Sequence, residues 1–137
     1  MEDMILGVSE LLRLVQEKKL VENLSERELT NPEGAGFDLR IGALYRITGK
    51  GFLGVSERET PAMEEIATFS TEENHSVLLE PHVYYLMKTI EWVNTPSDIA
   101  ILFRPRSTLF RSGVTLFTGN VSPGYAGELN FGIMNLR

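Results

Sequence analysis

The side chains best suited to chemistry gather late in the sequence. Arg104-Pro-Arg-Ser-Thr-Leu-Phe-Arg111 sets three guanidinium groups beside two hydroxyls. Guanidinium forks and serine hydroxyls are the groups that grip phosphate oxygens. Read alone, Arg104, Arg106 and Arg111 are either solvated surface charges or the cradle of one compact anion. Eight residues beyond Arg111 comes Gly119-Asn-Val-Ser-Pro-Gly-Tyr-Ala-Gly127, a glycine-framed turn that carries one aromatic ring. Tyr125 in it suits either ordinary packing or the flat wall of a binding site. Cysteine is absent, which excludes a thiol nucleophile, Cys-ligated zinc and the Cys-containing zinc centre of the common base deaminases. His75 and His82 are the only histidines, too few for a metal cluster of side chains, and His82 follows Pro81 at a turn where a solvated role fits. No G-x-S-x-G elbow, P-loop or G-x-G-x-x-G is present.

Charge sharpens the same region. The chain carries 13 Lys and Arg against 19 Asp and Glu, a net −6. Residues 1–100 hold nine basic and eighteen acidic side chains, whereas residues 101–137 hold four Arg and the single acid Glu128. An acidic chain is a poor general nucleic-acid binder, because nonspecific affinity comes from neutralising phosphates. A local Arg cluster can still hold a small anion.

The frame that must position these residues is one domain of 137 residues, a size that buries about 68% of the unfolded surface and needs no staples. Met1-Glu2-Asp3 is no basic leader, and no apolar run approaches the ~20 residues that span a bilayer. The expectation is a single cytoplasmic domain over 1–137, with no membrane partner. A helix is expected over residues 10–20, with Ser9 as N-cap, an apolar face of Leu11, Leu12, Leu14, Val15 and Leu20, and Lys18 and Lys19 in its last turn. Asn23 to Gly36 reads as a loop. Phe37 to Thr48 reads as a strand interrupted at Gly42, and residues 49–76 as a long excursion with weak strands at Phe52-Leu53 and Ile66 to Phe69. Val77 to Leu79, Val83 to Trp92, Ile99 to Phe103, Val114 to Thr118 and Leu129 to Met134 read as short strands punctuated by Pro and Gly, with Arg104 to Arg111 at a strand end. That pattern means a mainly β, antiparallel sandwich, barrel or jelly roll.

Four blocks in order resemble the dUTPase and dCTP deaminase superfamily. Ala35-Gly-Phe-Asp-Leu-Arg-Ile-Gly42 resembles both the A-G-x-D-L of dUTPases and the D-x-R-x-G of the deaminases. Pro105-Arg-Ser-Thr-Leu-Phe-Arg111 is similar to the shared R-S-x-L block, with the closing Arg111 of the deaminase variant. Gly119 to Glu128 resembles G-x-I-D-x-x-Y-x-G-E, and Leu79 to Ile99 follows the strand-strand-P-x-D/E-I framework. The resemblance implies a jelly-roll or β-clip fold with one N-terminal helix, a homotrimer with shared sites, and a pyrimidine deoxynucleoside triphosphate as partner. It further implies Mg2+ held by the triphosphate, with no metal bound directly to side chains. Arg106, Ser107 and Thr108 would hold phosphates, and Asp38 would lie in the magnesium environment. Gly119 and Asn120 belong to the hairpin that would receive the base, and Tyr125 would exclude a 2′-hydroxyl. Ser122, Asp38 and Arg111 make up the implied catalytic set.

The sequence also departs from the resemblance. Ser122 stands where dUTPases carry the Asp that activates water, and a neutral hydroxyl cannot take that proton unaided. Gly132 stands where the deaminases carry a proton-shuttling glutamate. Asp38 or Glu128 would then have to orient the water. The family continues beyond the strand ending at Asn135, so the expectation is either a fragment or a protein without that strand and tail. Magnesium-dependent dUTP hydrolysis is the expected activity. dCTP deamination and a catalytically inactive, nucleotide-binding or regulatory role are its alternatives.

Overall fold

The computed structural model describes residues 4–69 and 76–137; Met1 to Asp3 and His75 lie outside them. Antiparallel strands dominate, as the punctuated β pattern predicts. Along the chain come α1 (Val8–Lys18), β1 (Val21–Glu22), α2 (Glu26–Thr30), β2 (Ile41–Ile47), β3 (Phe52–Leu53), β4 (Arg58–Glu59) and β5 (Met63–Thr68). After these come β6 (Tyr84–Asn94), α3 (Ser107–Arg111), β7 (Val114–Phe117) and β8 (Ala126–Asn135). Hydrogen bonding orders the main sheet β5-β2-β6-β8-β7, with β1 also paired to β6, while β3 and β4 make a separate hairpin.

Two compact units emerge. The first comprises 1–40, 89–102 and 120–129, and the second 41–88, 103–119 and 130–137. In the first, Leu14, Leu20, Val21, Leu24, Val93, Val121 and Leu129 form the buried apolar set. In the second, Ala43, Leu44, Tyr85, Met87, Phe131 and Ile133 do so. The period of two explains the choice: odd-numbered residues of β6, from Tyr85 to Val93, are all buried, and the even ones half-covered or exposed.

Several expectations need correction. Helix α1 starts two residues earlier than predicted, because Leu11 N–H bonds Gly7 C=O (3.0 Å), so Gly7 is the cap and Ser9 lies inside. Lys19 takes a left-handed conformation (φ 52°) that ends the helix, and Leu20 N–H closes back on Leu14 C=O at 3.2 Å. The predicted loop from Asn23 to Gly36 contains α2. Its signal is the capping-box pattern Ser25-x-x-Glu28, with the Glu28 N–H donating to Ser25 Oγ at 3.4 Å. Val77 to Leu79 is not strand, and Ile99 to Phe103 contributes only a bridge between Ile101 and Val121. The arginine block is a helical turn rather than a strand end. Pro105 holds the chain extended up to Arg106, whose C=O then accepts from Leu109 N–H at 2.9 Å.

Candidate functional site

Asp38 is held by α2. Glu28 is only 2% exposed, and its Oε2 accepts the backbone N–H of Asp38 at 3.0 Å. Arg27 Nη1 donates to Asp38 Oδ2 at 3.2 Å and lies 3.5 Å from Glu28 Oε1, while Nη2 meets Glu33 at 2.9 Å. Asp38, then Glu33, holds the Arg27 guanidinium above its ordinary pKa. A second buried acid repeats the device two residues on. Glu91 on β6 is fully buried, and it accepts both the backbone N–H (3.0 Å) and the Nε (2.8 Å) of Arg40. Arg40 also donates through Nη2 to Asn23 C=O, and its own C=O accepts from Ile90 N–H at 3.0 Å. Thus the Ala35–Gly42 block is clamped at the alternate amides of residues 38 and 40 by two carboxylates, one from nearby α2 and one from β6.

The turn carrying Ser122 and Tyr125 also belongs to the first unit. Gly124, at φ +84°, supplies the left-handed residue. Tyr125 N–H donates to Ser122 C=O (3.2 Å), Thr95 N–H to Tyr125 C=O (2.8 Å), and Gly124 N–H to Thr95 C=O (3.1 Å). Thr95 thus ties the turn down through both its backbone groups. Tyr125 folds back along its own strand, its hydroxyl donating to Glu128 C=O at 2.7 Å, and the side chain stays 44% exposed. Asn120 and Ser122 are exposed.

The remaining candidates lie in the second unit. Arg106 precedes α3, whose residues include Ser107, Thr108 and Arg111; all four are exposed, as is Gly119. Ser112 Oγ donates to Thr108 C=O at 2.7 Å and helps close the turn. Gly132 on β8 pairs in register with Phe117 on β7. The rings of Tyr84 and Phe117 meet with centroids 5.4 Å apart. A Cβ built on Gly132 would stand 2.5 Å from Tyr84 Cζ and nearer still to its hydroxyl. Tyr84 therefore fills the volume that a side chain at 132 would need. A depression of about 290 Å³ lined by Ile47, Pro61, Met63, Tyr84 and Leu86 holds none of the predicted site residues.

A family model described as dCTP deaminase-like matches residues 5–137. The chain belongs to the dCTP deaminase-like family. Similar proteins include a probable deoxyuridine 5′-triphosphate nucleotidohydrolase of Methanopyrus kandleri, 36% identical over 69% of this chain and 60% of that one. The deoxyuridine 5′-triphosphate nucleotidohydrolase of Methanocaldococcus jannaschii is 30% identical over 81% of this chain and 69% of its own. A protein of Dictyoglomus turgidum named dCTP deaminase, dUMP-forming, is 26% identical over 98% of this chain and 71% of its own. The fold is that of the 2′-deoxycytidine 5′-triphosphate deaminase of Agrobacterium tumefaciens (TM-score 0.64, 19% identity), with 96% of this chain and 41% of that one covered. The chain thus spans about three fifths of the first of these relatives. The family predicted from the four sequence blocks is the family found.

Sequence reasoning passed over Arg27, Glu28, Glu91 and Thr95. For Glu91 a signal existed: an acid in the buried register of an alternating strand must have a partner. Among the described residues, no group of three or more His, Asp or Glu is arranged to hold a metal ion. Among the described residues, no helix is long and apolar enough to cross a membrane.

Proposed function

We propose that the chain binds the magnesium complex of a pyrimidine deoxynucleoside triphosphate and hydrolyses dUTP to dUMP and pyrophosphate, as a cytoplasmic homotrimer acting on no nucleic acid. Its relatives named deoxyuridine 5′-triphosphate nucleotidohydrolase support the substrate class. The observation that carries hydrolysis over deamination is Tyr84 seated over Gly132. Deamination in this family's manner needs a carboxylate at that position, and there is neither a carboxylate nor room for one.

The magnesium belongs to the substrate, where it neutralises triphosphate charge. Arg106, Ser107 and Thr108 grip the phosphates, with Arg111 one turn further along α3. The Gly119-Asn120 edge receives the base, and Tyr125 covers the deoxyribose. Water adds its oxygen to the α-phosphorus, the bond to the bridging oxygen breaks, and pyrophosphate leaves with that oxygen. Asp38 or Glu128 orients the water, and that carboxylate takes the proton the water loses as it attacks. Ser122 is exposed in the turn but offers only a neutral hydroxyl.

A product assay with dUTP and dCTP tests the reading: pyrophosphate from dUTP supports it, and ammonia from dCTP overturns it. General-base assistance contributes about 10²–10⁴-fold, so Ser122→Asp is expected to raise pyrophosphate release from dUTP at least about tenfold. A fast native protein slowed by Ser122→Asp would mean that another residue is the base. Ser122 also favours a second reading, a nucleotide-binding module without turnover. Binding of dUTP with no release by either form is the result that selects it.

Arg106→Ala is expected to weaken dUTP binding by about 1.5–3 kcal/mol, the range for a hydrogen bond to a charged group. Isothermal titration reads this directly, and an unchanged affinity would move the phosphates away from α3.

A further inference from the structure

Three glycine-rich positions shape the turn at Tyr125, and each has a different task. Gly124 provides the left-handed residue, at φ +84°. Gly119 has open space around it. Gly127 does neither. It is buried, and a Cβ built on it would stand 2.8 Å from Tyr125 Cζ, 3.2 Å from Cε1 and closer still to the hydroxyl. Its backbone has no left-handed φ that would exclude an L side chain. What requires glycine at 127 is the tyrosine ring lying across it.

We infer that Gly127 is a positioning residue for sugar discrimination. The missing side chain lets the Tyr125 ring lie back over its own strand until its hydroxyl reaches Glu128 C=O at 2.7 Å. Both ends of the side chain are then fixed. The backbone of Tyr125 is tied to Ser122 and Thr95, and the phenol to Glu128. One side of the ring is spent on Gly127, and the residue is still 44% exposed. A ring held at both ends is a wall whose distance from a ligand does not vary. A loosely held ring would swing aside for the extra hydroxyl of a ribose, and discrimination depends on refusing that motion. This inference rests on the reading of Tyr125 as the residue that covers the deoxyribose.

The test is equilibrium titration of the full chain with dUTP and with UTP, both as magnesium complexes, so that turnover is not needed. In the native protein dUTP binds better. Gly127→Ala pushes the ring off its strand and breaks the phenol bond. It is expected to cut the dUTP-to-UTP affinity ratio about five- to tenfold, within the range of one net hydrogen bond. Most of that change is gained UTP binding rather than lost dUTP binding. Tyr125→Phe removes the tie to Glu128 without adding an atom, and should lower the ratio in the same direction even if the alanine variant folds poorly. In a Tyr125→Ala background, Gly127→Ala should leave the ratio where Tyr125→Ala set it, because the ring through which it acts is gone.

The outcomes separate the two claims. If Tyr125→Ala leaves the ratio unchanged, or neither nucleotide binds, the reading of the site fails and the inference with it. If Tyr125→Ala collapses the ratio while Gly127→Ala and Tyr125→Phe preserve it, the site stands and the positioning role falls. Equal effects of Gly127→Ala in both backgrounds would also overturn it, since glycine would then act without the ring.

Discussion

Arg40→Met is expected to destabilise the protein by about 3–5 kcal/mol, the cost of leaving a buried charge without its partner. Glu91 is fully buried, and Arg40 supplies both of the hydrogen bonds described above. Methionine fills a similar volume but offers no cation, so the carboxylate keeps only the amide of residue 40. The double variant Arg40→Met/Glu91→Leu removes the stranded charge and should recover most of the loss. Recovery should stop about 1–3 kcal/mol short of the native value, because the amide of residue 40 is then itself unpaired. Urea denaturation of the native protein, the single variant and the double variant measures both the loss and the recovery. A loss below about 1 kcal/mol for Arg40→Met would show that Glu91 finds another partner, contrary to its enclosure.

Gly132→Glu is expected to be nearly as damaging, at about 3 kcal/mol or more, the upper end for overpacking a filled space. The new side chain would enter the Tyr84 ring, and its carboxylate would lose water beneath two aromatic rings. Tyr84→Ala opens that space, so Gly132→Glu should cost at least about 1 kcal/mol less when made on it, a coupling of ordinary size for touching residues. The thermal midpoints of the two singles and the double give this coupling. Additive losses would mean that Tyr84 does not occupy the space over residue 132. The same comparison bears on chemistry: restoring the deaminase carboxylate by one substitution is expected to yield an unfolded protein before it yields ammonia.

Much of the architecture was legible because it rests on period and punctuation. The alternation in β6 and β8, and the Pro and Gly between strands, identify the antiparallel class without any tertiary information. The helices were harder. α2 is five residues long, too short for an apolar stripe, and only the Ser25-x-x-Glu28 pattern marks it. α3 is equally short, and its arginines carry no periodic signal. Arg106 and Tyr125 could be picked out by type and setting, whereas Asp38 and Ser122 stood out only through the resemblance of their blocks to the family's. The pairing of buried acids with two of the motif's amides could not be read, since Glu91 lies 51 positions from Arg40 and such a match is invisible to local patterns. At Gly132 the sequence shows only an absent side chain, and the Tyr84 ring that fills the space beside it comes from another strand.

The grip of Glu28 on residue 38 has a consequence for how freely that position can vary. Glu28 accepts the main-chain N–H of Asp38, and every amino acid but proline carries that group. The amide anchor at 38 is therefore independent of the side chain displayed there, whereas the Arg27 contact depends on it. Exchange Asp38 for Asn, Ser or Glu, and the anchor remains while the chemistry presented changes. Here the scaffold and its cargo are encoded by different residues, so new reactivity can be sampled at this position without first dismantling the mount that holds it.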